Sequence, residues 1–368
     1  LAAASPLAAQ IERRKVIIDE DCAGPGGTDM QTLLTLINSP QTDVLGITVV
    51  TGDAWRDEEV QHALRLLEII GRTDIAVVPG AVFPIVNSKE AVVEWEKKYG
   101  KVSYQGAWNF GNPVHGPWEI PPMLEGAPSI KAANEDAAHF LVRMVHQYPH
   151  EVTIYAGGPL TNLALAQTID SQFASLAKEL ILMGGSIHPV TTDPEFLKTP
   201  HREFNLWMDP EASRCVLRAP WARVVVTTVD ISVKTDMNKG LIAEIEKLKF
   251  NLLVGKQANG VEEFFAKGTT PSARYVAKYA PQCTYQCYLW DELAAAAWLD
   301  PTIITKSKKM YLDVSLDRGA TYGNTVASEL GQEPALHGPA VEVQEDLDLA
   351  KFYKEFIALM TAATPNAH

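Results

Sequence analysis

Val16–Leu34 reads VIIDEDCAGPGGTDMQTLL, and the fold follows from how that stretch divides. Lys15–Asp19 (KVIID) is an apolar, β-branched run ending in acid, the pattern of a parallel strand covered on both faces. Gly24-Pro25-Gly26-Gly27 then turns the chain. Asp29–Asn38 is helix-forming, with Asp29 at its start. Together these make one strand-turn-helix unit. Asp19, Glu20 and Asp21 stand at the carboxyl end of the strand, where open α/β sheets bind their ligands.

The same alternation runs on through the chain. Val44–Val50, Ile75–Val78, Val152–Tyr155, Leu180–Met183 and Val224–Val229 are expected strands. Asp57–Ile70 is an amphipathic helix with Val60, Leu64, Leu67 and Ile70 on one face. Further helices are expected over Ile130–His146, Leu160–Gln167, Pro210–Leu217, Leu241–Lys249, Leu289–Trp298 and Leu347–Met360. This pace predicts an α/β fold: a Rossmann-like, doubly wound, mostly parallel sheet. Val86–Pro128 breaks the rhythm. It is rich in Trp, Gly, Pro and Asn, holds one expected helix at Glu90–Tyr99, and reads as a lid or binding loop. No linker or shift in composition divides the chain, so residues 15–368 are expected to form a single domain.

Composition narrows the function. Hydrophobic residues make up 46% and charged residues 21%, which is globular rather than disordered. A formal charge of −13 with no basic run disfavours nucleic acid as a partner. A small neutral ligand, or one held through a cation, fits better. No run is long and apolar enough to predict a membrane span. Leu1–Gln10 (LAAASPLAAQ) resembles the tail of a secretory signal peptide, or is a frayed Ala-rich terminus. Residues 1–14 are therefore expected to be flexible, and export is favoured over a cytoplasmic location. Cys22, Cys215, Cys283 and Cys287 are too few for a disulfide scaffold, and their spacing makes no zinc site.

The acids carry the chemistry. Strand side chains alternate, so Asp19 and Asp21 point the same way if the strand continues that far. With Asp29 they would repel one another and resist ionising together unless a cation neutralises them. Hard carboxylate oxygens select Ca2+ or Mg2+ over Zn2+. The plainer alternative makes Asp29 a helix-terminal charge and Asp19 a capped strand end. A phosphate cradle is excluded, because the turn lacks a Gly-Lys-Ser/Thr ending and acids precede it.

Val16–Leu34 resembles the amino-terminal signature of nucleoside hydrolases, roughly D-x-D-x-G-x-D-D before an apolar helix. The resemblance spans nearly the whole chain: Leu45–Asp53 (LGITVVTGD), Val152–Asn162 (VTIYAGGPLTN), Leu182–Gly185 (LMGG), Glu203-Phe204-Asn205 before Asp209-Pro210-Glu211-Ala212, and Trp290-Asp291-Glu292-Leu293. It implies Ca2+ held by Asp21, Asp29 and Asp291 with the Gly157 carbonyl. It implies Asp21 as the base for the attacking water, and Asp53, Glu203 and Asn205 as ligands of sugar hydroxyls. The reaction it implies is hydrolysis of an N-glycosidic bond through an oxocarbenium-like sugar. Family members are commonly homodimers or homotetramers, so a homo-oligomer is expected.

Three departures individualise the chain. The first turn is longer by about three residues than the family pattern, and Thr28 stands where the first of its paired aspartates helps hold the sugar. The asparagine that the family places ahead of Glu-Phe-Asn is absent from Phe196–His201 (FLKTPH), with Asn109 and Asn112 as candidate substitutes. Trp290 precedes the final aspartate where one branch has a histidine acid; the purine-preferring branch also has Trp-Asp there. Trp290 is expected to stack on the leaving base, with Trp95, Trp108 or Trp118 as a candidate opposite wall. The expected function is Ca2+-dependent release of a base, purine rather than pyrimidine, from a ribonucleoside. The alternatives are a hydrolase for another sugar or nucleoside conjugate and a non-catalytic sugar- or metal-binding homologue.

Overall fold

Strand β1 (Arg14–Glu20) forms where the β-branched run predicts it, and both of its faces are buried. Val16 and Ile18 enter one apolar core, and Ile17 enters the other. The computed structural model describes residues 13–109, 114–236, 267–279 and 288–366. From β1 the chain runs through helix α1 (Thr28–Ile37) to β2 (Thr42–Val49), then through α2 (Arg56–Ile70) to β3 (Val77–Pro79). After α3 (Lys89–Tyr99) and α4 (Ala137–Gln147) it crosses back to β4 (Thr153–Ala156), beside β1, and enters α5 (Thr161–Ile169). The remaining strands are β5 (Glu179–Met183), β6 (Val224–Thr227), β7 (Ile304–Val314), β8 (Thr325–Glu329) and β9 (Val341–Leu347).

The nine-stranded order is β3-β2-β1-β4-β5-β6-β9-β7-β8. Pairing from β3 to β9 is parallel, and β7 is antiparallel to both β9 and β8. The expected doubly wound, mostly parallel sheet is what forms. Strand order reverses between β1 and β4, which opens a crevice at their carboxyl ends. On one face of the sheet Leu33 and Leu34 of α1 pack with Leu293 of the Trp290–Leu299 helix and Phe352 of the Leu349–Thr361 helix. On the other, Leu141 of α4 packs with Leu163 of α5 and Val216. Each such fully buried side chain stabilises the fold by about 1.5–3 kcal/mol.

Several boundaries differ from expectation for local reasons. The helix expected from Ile130 starts at Ala137, because Asp136 accepts the His139 N–H as its cap. The strand expected to reach Val229 stops at Thr227, and Val229–Ser232 is a helical turn. Leu347, expected to be helical, ends β9; Asp348 then caps the last helix at the Lys351 N–H. Strands β7, β8 and β9 were not anticipated. The first half of β7 carries Lys306, Lys308 and Lys309, and its exposed face hides the apolar alternation of Met310, Leu312 and Val314. The helix expected over Leu241–Lys249, and Cys283 and Cys287, lie outside the described residues. Among the described residues no helix is long and apolar enough to cross a membrane.

Candidate active site

Side-chain alternation on β1 decides which acid faces which helix. Asp19 shares the face of Ile17, beside α5, where its Oδ1 accepts from Thr48 Oγ1 (2.5 Å) and Asn162 Nδ2 (2.8 Å). Glu20 shares the face of Ile18, the side covered by α1 and the Trp290–Leu299 helix. Those two helices carry Asp29 and Asp291 in their first turns. Glu20, Asp29 and Asp291 consequently converge, each offering a carboxylate oxygen within 4.8 Å of the others. Both oxygens of Glu20, Oδ2 of Asp29 and Oδ1 of Asp291 are buried without a hydrogen-bond partner. Burial pushes all three carboxyl groups well above the ordinary range, and nearby carboxylates add to the shift. Buried polar atoms are rarely left unpaired, so four such oxygens in one place fit a hard divalent cation.

Asp21 follows directly on the end of the strand. β1 ends at Glu20, and Asp21 turns toward the loop after β2, where its Oδ2 accepts the Asp53 N–H at 2.9 Å. It is not one of the three convergent carboxylates, although it lines the same cavity. Glycines make room for these acids. A Cβ on Gly157 would come within 1.9 Å of Glu20 Oε2, and one on Gly52 within 2.0 Å of Asp21 Oδ2. The Gly157 carbonyl, expected to face the metal, accepts from Asn205 Nδ2 at 2.5 Å and keeps a second lone pair.

The cavity above the acids has a volume of about 300 Å3. Its wall brings together Asp21, Thr28, Asp29, Asp53, Gly157, Glu203, Asn205, Trp290 and Asp291. Thr28 opens α1 and hydrogen-bonds the Asp29 carboxylate. Asp53 is raised to about 6 by burial, against the pull of the Tyr104 hydroxyl that it accepts. Glu203 is no surface residue. Its carboxylate accepts the amides of Gly185, Asn205 and Leu206, and burial still raises it to about 7.

The aromatic wall differs from expectation. Trp290 meets Phe196 edge-on at 6.0 Å and Tyr288 at 4.9 Å, while Phe204 packs on Tyr104 at 5.0 Å. Phe196, Phe204 and Tyr104 line the cavity; Trp95, Trp108 and Trp118 do not. Trp95 donates to the Gly319 carbonyl, Trp108 packs against Trp207, and Trp118 is exposed beside Phe83. Asn109 accepts the Gln105 N–H and is also off that wall, while Asn112 lies outside the described residues. His115 pairs with Glu58 at 3.0 Å, away from the cavity. Tyr104 and Phe196 were given no role by the sequence reading, and Glu20 was named at the strand end without one. Strand parity pointed to Glu20, but nothing local marked Tyr104 or Phe196.

Comparison with known proteins agrees with this architecture. Residues 16–354 match the family described as inosine-uridine preferring nucleoside hydrolase. An uncharacterized protein of Schizosaccharomyces pombe is 28% identical over 363 residues, covering 95% of this chain and 85% of its own length. Uridine nucleosidase 1 of Arabidopsis thaliana is 29% identical over 299 residues, covering 81% of this chain and 77% of its own. The solved structure of a plant nucleoside hydrolase, the PpNRh1 enzyme, superposes with a TM-score of 0.71 at 22% identity. That superposition covers 95% of this chain and 99% of the plant chain, and speaks to the fold.

Proposed function

This chain belongs to the inosine-uridine preferring nucleoside hydrolase family, and from that premise we propose that it uses water to release the base from ribonucleosides, with Ca2+ as its cation and purines as its favoured bases. The observation that carries the reading is the set of orphaned carboxylate oxygens beneath an aromatic-walled cavity of about 300 Å3. Asp29 and Asp291 would hold the cation together with a carboxylate from the end of β1 and the Gly157 carbonyl. An all-oxygen donor set of this kind suits Ca2+. When bound, the cation supplies Lewis acidity toward water and a template for vicinal hydroxyls.

The protein's own residues do the rest. Asp21 takes the proton of the attacking water. Burial raises its carboxyl well above the ordinary range, which brings the base closer to working pH. The Asp53 N–H fixes one Asp21 oxygen and leaves the other for water. Surrounding carboxylates favour the positive charge that develops on the sugar as the base departs. Asp53 and Asn205 lie where sugar hydroxyls would be read, and a site built to bond them rejects analogues lacking them. Trp290, in the cavity wall, would stack on the departing base.

A second reading, a different sugar conjugate, draws support from Glu203, whose two oxygens are taken up by three backbone amides. One assay separates the readings. Inosine, guanosine, uridine and simple glycosides are offered to the chain with Ca2+ and with chelator. The proposal expects purine ribonucleosides to be cleaved fastest and chelator to stop the reaction. Faster cleavage of uridine, the substrate named for the Arabidopsis relative, would refute the purine preference. Cleavage of glycosides alone would favour the second reading.

A further inference from the structure

Resting on the hydrolase reading above, we propose that Tyr104 is a positioning residue for substrate recognition: its hydroxyl holds the Asp53 carboxylate ready to accept a sugar hydroxyl, and the stretch from α3 to Trp108 is the brace that delivers it. Asp53 lies on the turn after β2 and lines the cavity, where its carboxylate accepts the Tyr104 hydroxyl. Its backbone N–H is spent on Asp21 Oδ2 at 2.9 Å, which fixes the main chain but leaves the side chain able to turn. The phenol removes that freedom. A carboxylate with one acceptor direction taken keeps further lone pairs for a ligand, and holding it beforehand spares the ligand the cost of ordering it. Tyr104 is itself steadied by Phe204, on which its ring packs edge-on at 5.0 Å. Phe204 stands between Glu203 and Asn205, so this contact ties the phenol to the segment carrying two more residues of the cavity wall.

The brace is built by its own residues. Glu96, buried near the end of α3, accepts the Val102 N–H and Gln105 Nε2, each at 2.9 Å, which folds the chain back beside the helix. Just beyond Tyr104, the Ala107 N–H donates to the Gly52 carbonyl at 2.8 Å, one residue before Asp53. Gly106 makes that approach possible. Its φ is +51°, and a Cβ there would strike the Gly52 carbonyl oxygen and the Phe204 ring. At the outer end Trp95 donates to the Gly319 carbonyl at 2.9 Å, with the buried Arg202 guanidinium 4.4 Å over its ring. Packing alone does not account for the hydroxyl, because a phenylalanine at 104 would meet Phe204 equally well. The hydroxyl serves Asp53.

The test uses the full chain with Ca2+ and compares inosine with its 2′-, 3′- and 5′-deoxy analogues. Parent, Tyr104→Phe, Asp53→Ala and the double variant are measured beside their melting temperatures. Tyr104→Phe removes only the hydroxyl. It is expected to raise KM for inosine about tenfold with kcat within about twofold of the parent. It should also narrow the gap between inosine and the analogue lacking the hydroxyl that Asp53 reads. In the Asp53→Ala background the same change is expected to add nothing, since Tyr104 acts through that carboxylate. Gly106→Ala, which drives the brace off Gly52, should reproduce the KM effect with Tyr104 intact. Should Tyr104→Phe melt lower, the analogues still decide, because a smaller folded fraction lowers every rate equally and leaves their ratios unchanged. Unchanged KM and ratios in Tyr104→Phe would overturn the proposal, as would an equal loss with and without Asp53, or an Asp53→Ala chain as active as the parent. A parent that cleaves no ribonucleoside would refute the hydrolase reading and this proposal with it. A parent that cleaves while Tyr104→Phe matches it on every analogue would refute this proposal alone.

Discussion

Trp290 sits at the edge between positioning and chemistry. It opens the helix that carries Asp291, so its ring is fixed relative to the acids, and Phe196 and Tyr288 brace it edge-on. On the reading proposed above, this wall eases departure by stacking on the base. An aromatic pair contributes about 0.5–1.5 kcal/mol, which corresponds to roughly a tenfold rate effect. Trp290→Ala is therefore expected to lose about tenfold in kcat/KM on inosine and distinctly less on a riboside with an activated nitrophenyl leaving group. Equal losses on the two substrates would reduce Trp290 to a shaper of the pocket.

At the scale of elements, helix α2 ties the irregular segment to the cavity rim. His62 on α2 is buried, with its Nδ1 hydrogen-bonded to Glu125 and its Nε2 3.9 Å from Glu58. Arg65 on the same helix donates to the Glu125 carbonyl at 2.9 Å. The His62 ring also abuts Gly24, where a Cβ would come within 2.5 Å of Cγ, so the pair backs the glycine turn that lines the cavity. Burial alone would lower the His62 pKa, but its bonds to Glu125 and Glu58 outweigh that and raise it. The stabilisation from a raised histidine is complete below its ordinary pKa and is lost as pH rises through the folded value. Glu125→Ala leaves His62 buried without this partner and should cost about 3–5 kcal/mol in denaturant unfolding. Its stability should also decline less than the parent's as pH rises through the His62 titration. A mutant as stable as the parent would show that the segment is held by its apolar contacts alone.

Across the whole molecule, the cation reading predicts that the buried acids make stability depend on bound metal. Asp53 is raised to about 6, Asp19 and Glu203 to about 7, and Glu20, Asp29 and Asp291 further, burial leading in each case. Such a group holds its proton more tightly in the folded state. Its contribution is therefore full below the unfolded pKa of about 4 and lost as pH rises through the folded value. The metal-stripped protein should melt at progressively lower temperature from pH 5 to pH 8. On the proposed reading Ca2+ competes with protons for these acids, so its stabilising shift should be larger at pH 8 than at pH 5. A calorimetric series showing an equal or greater Ca2+ shift at pH 5 would mean that these acids do not govern cation binding.

What the sequence determined by itself was the local grammar: β1, its glycine-rich turn and α1, and the acids at their junction, since strand and helix periods are written in neighbouring residues. The family resemblance, carried by motifs far apart in the chain, added Asp291 to Asp29 as a second helix-opening acid. The tertiary structure alone decided that Glu20 joins them. Alternation separates Glu20 from Asp21, but which face of β1 the two helices cover depends on contacts hundreds of residues apart. The aromatic wall is non-local for the same reason. Phe196 and Tyr104 reach the cavity from segments with no strong period, whereas the loop tryptophans find partners elsewhere. Strands β7, β8 and β9 became strands by pairing across the sheet, a stabilisation that no single segment carries in its own residues.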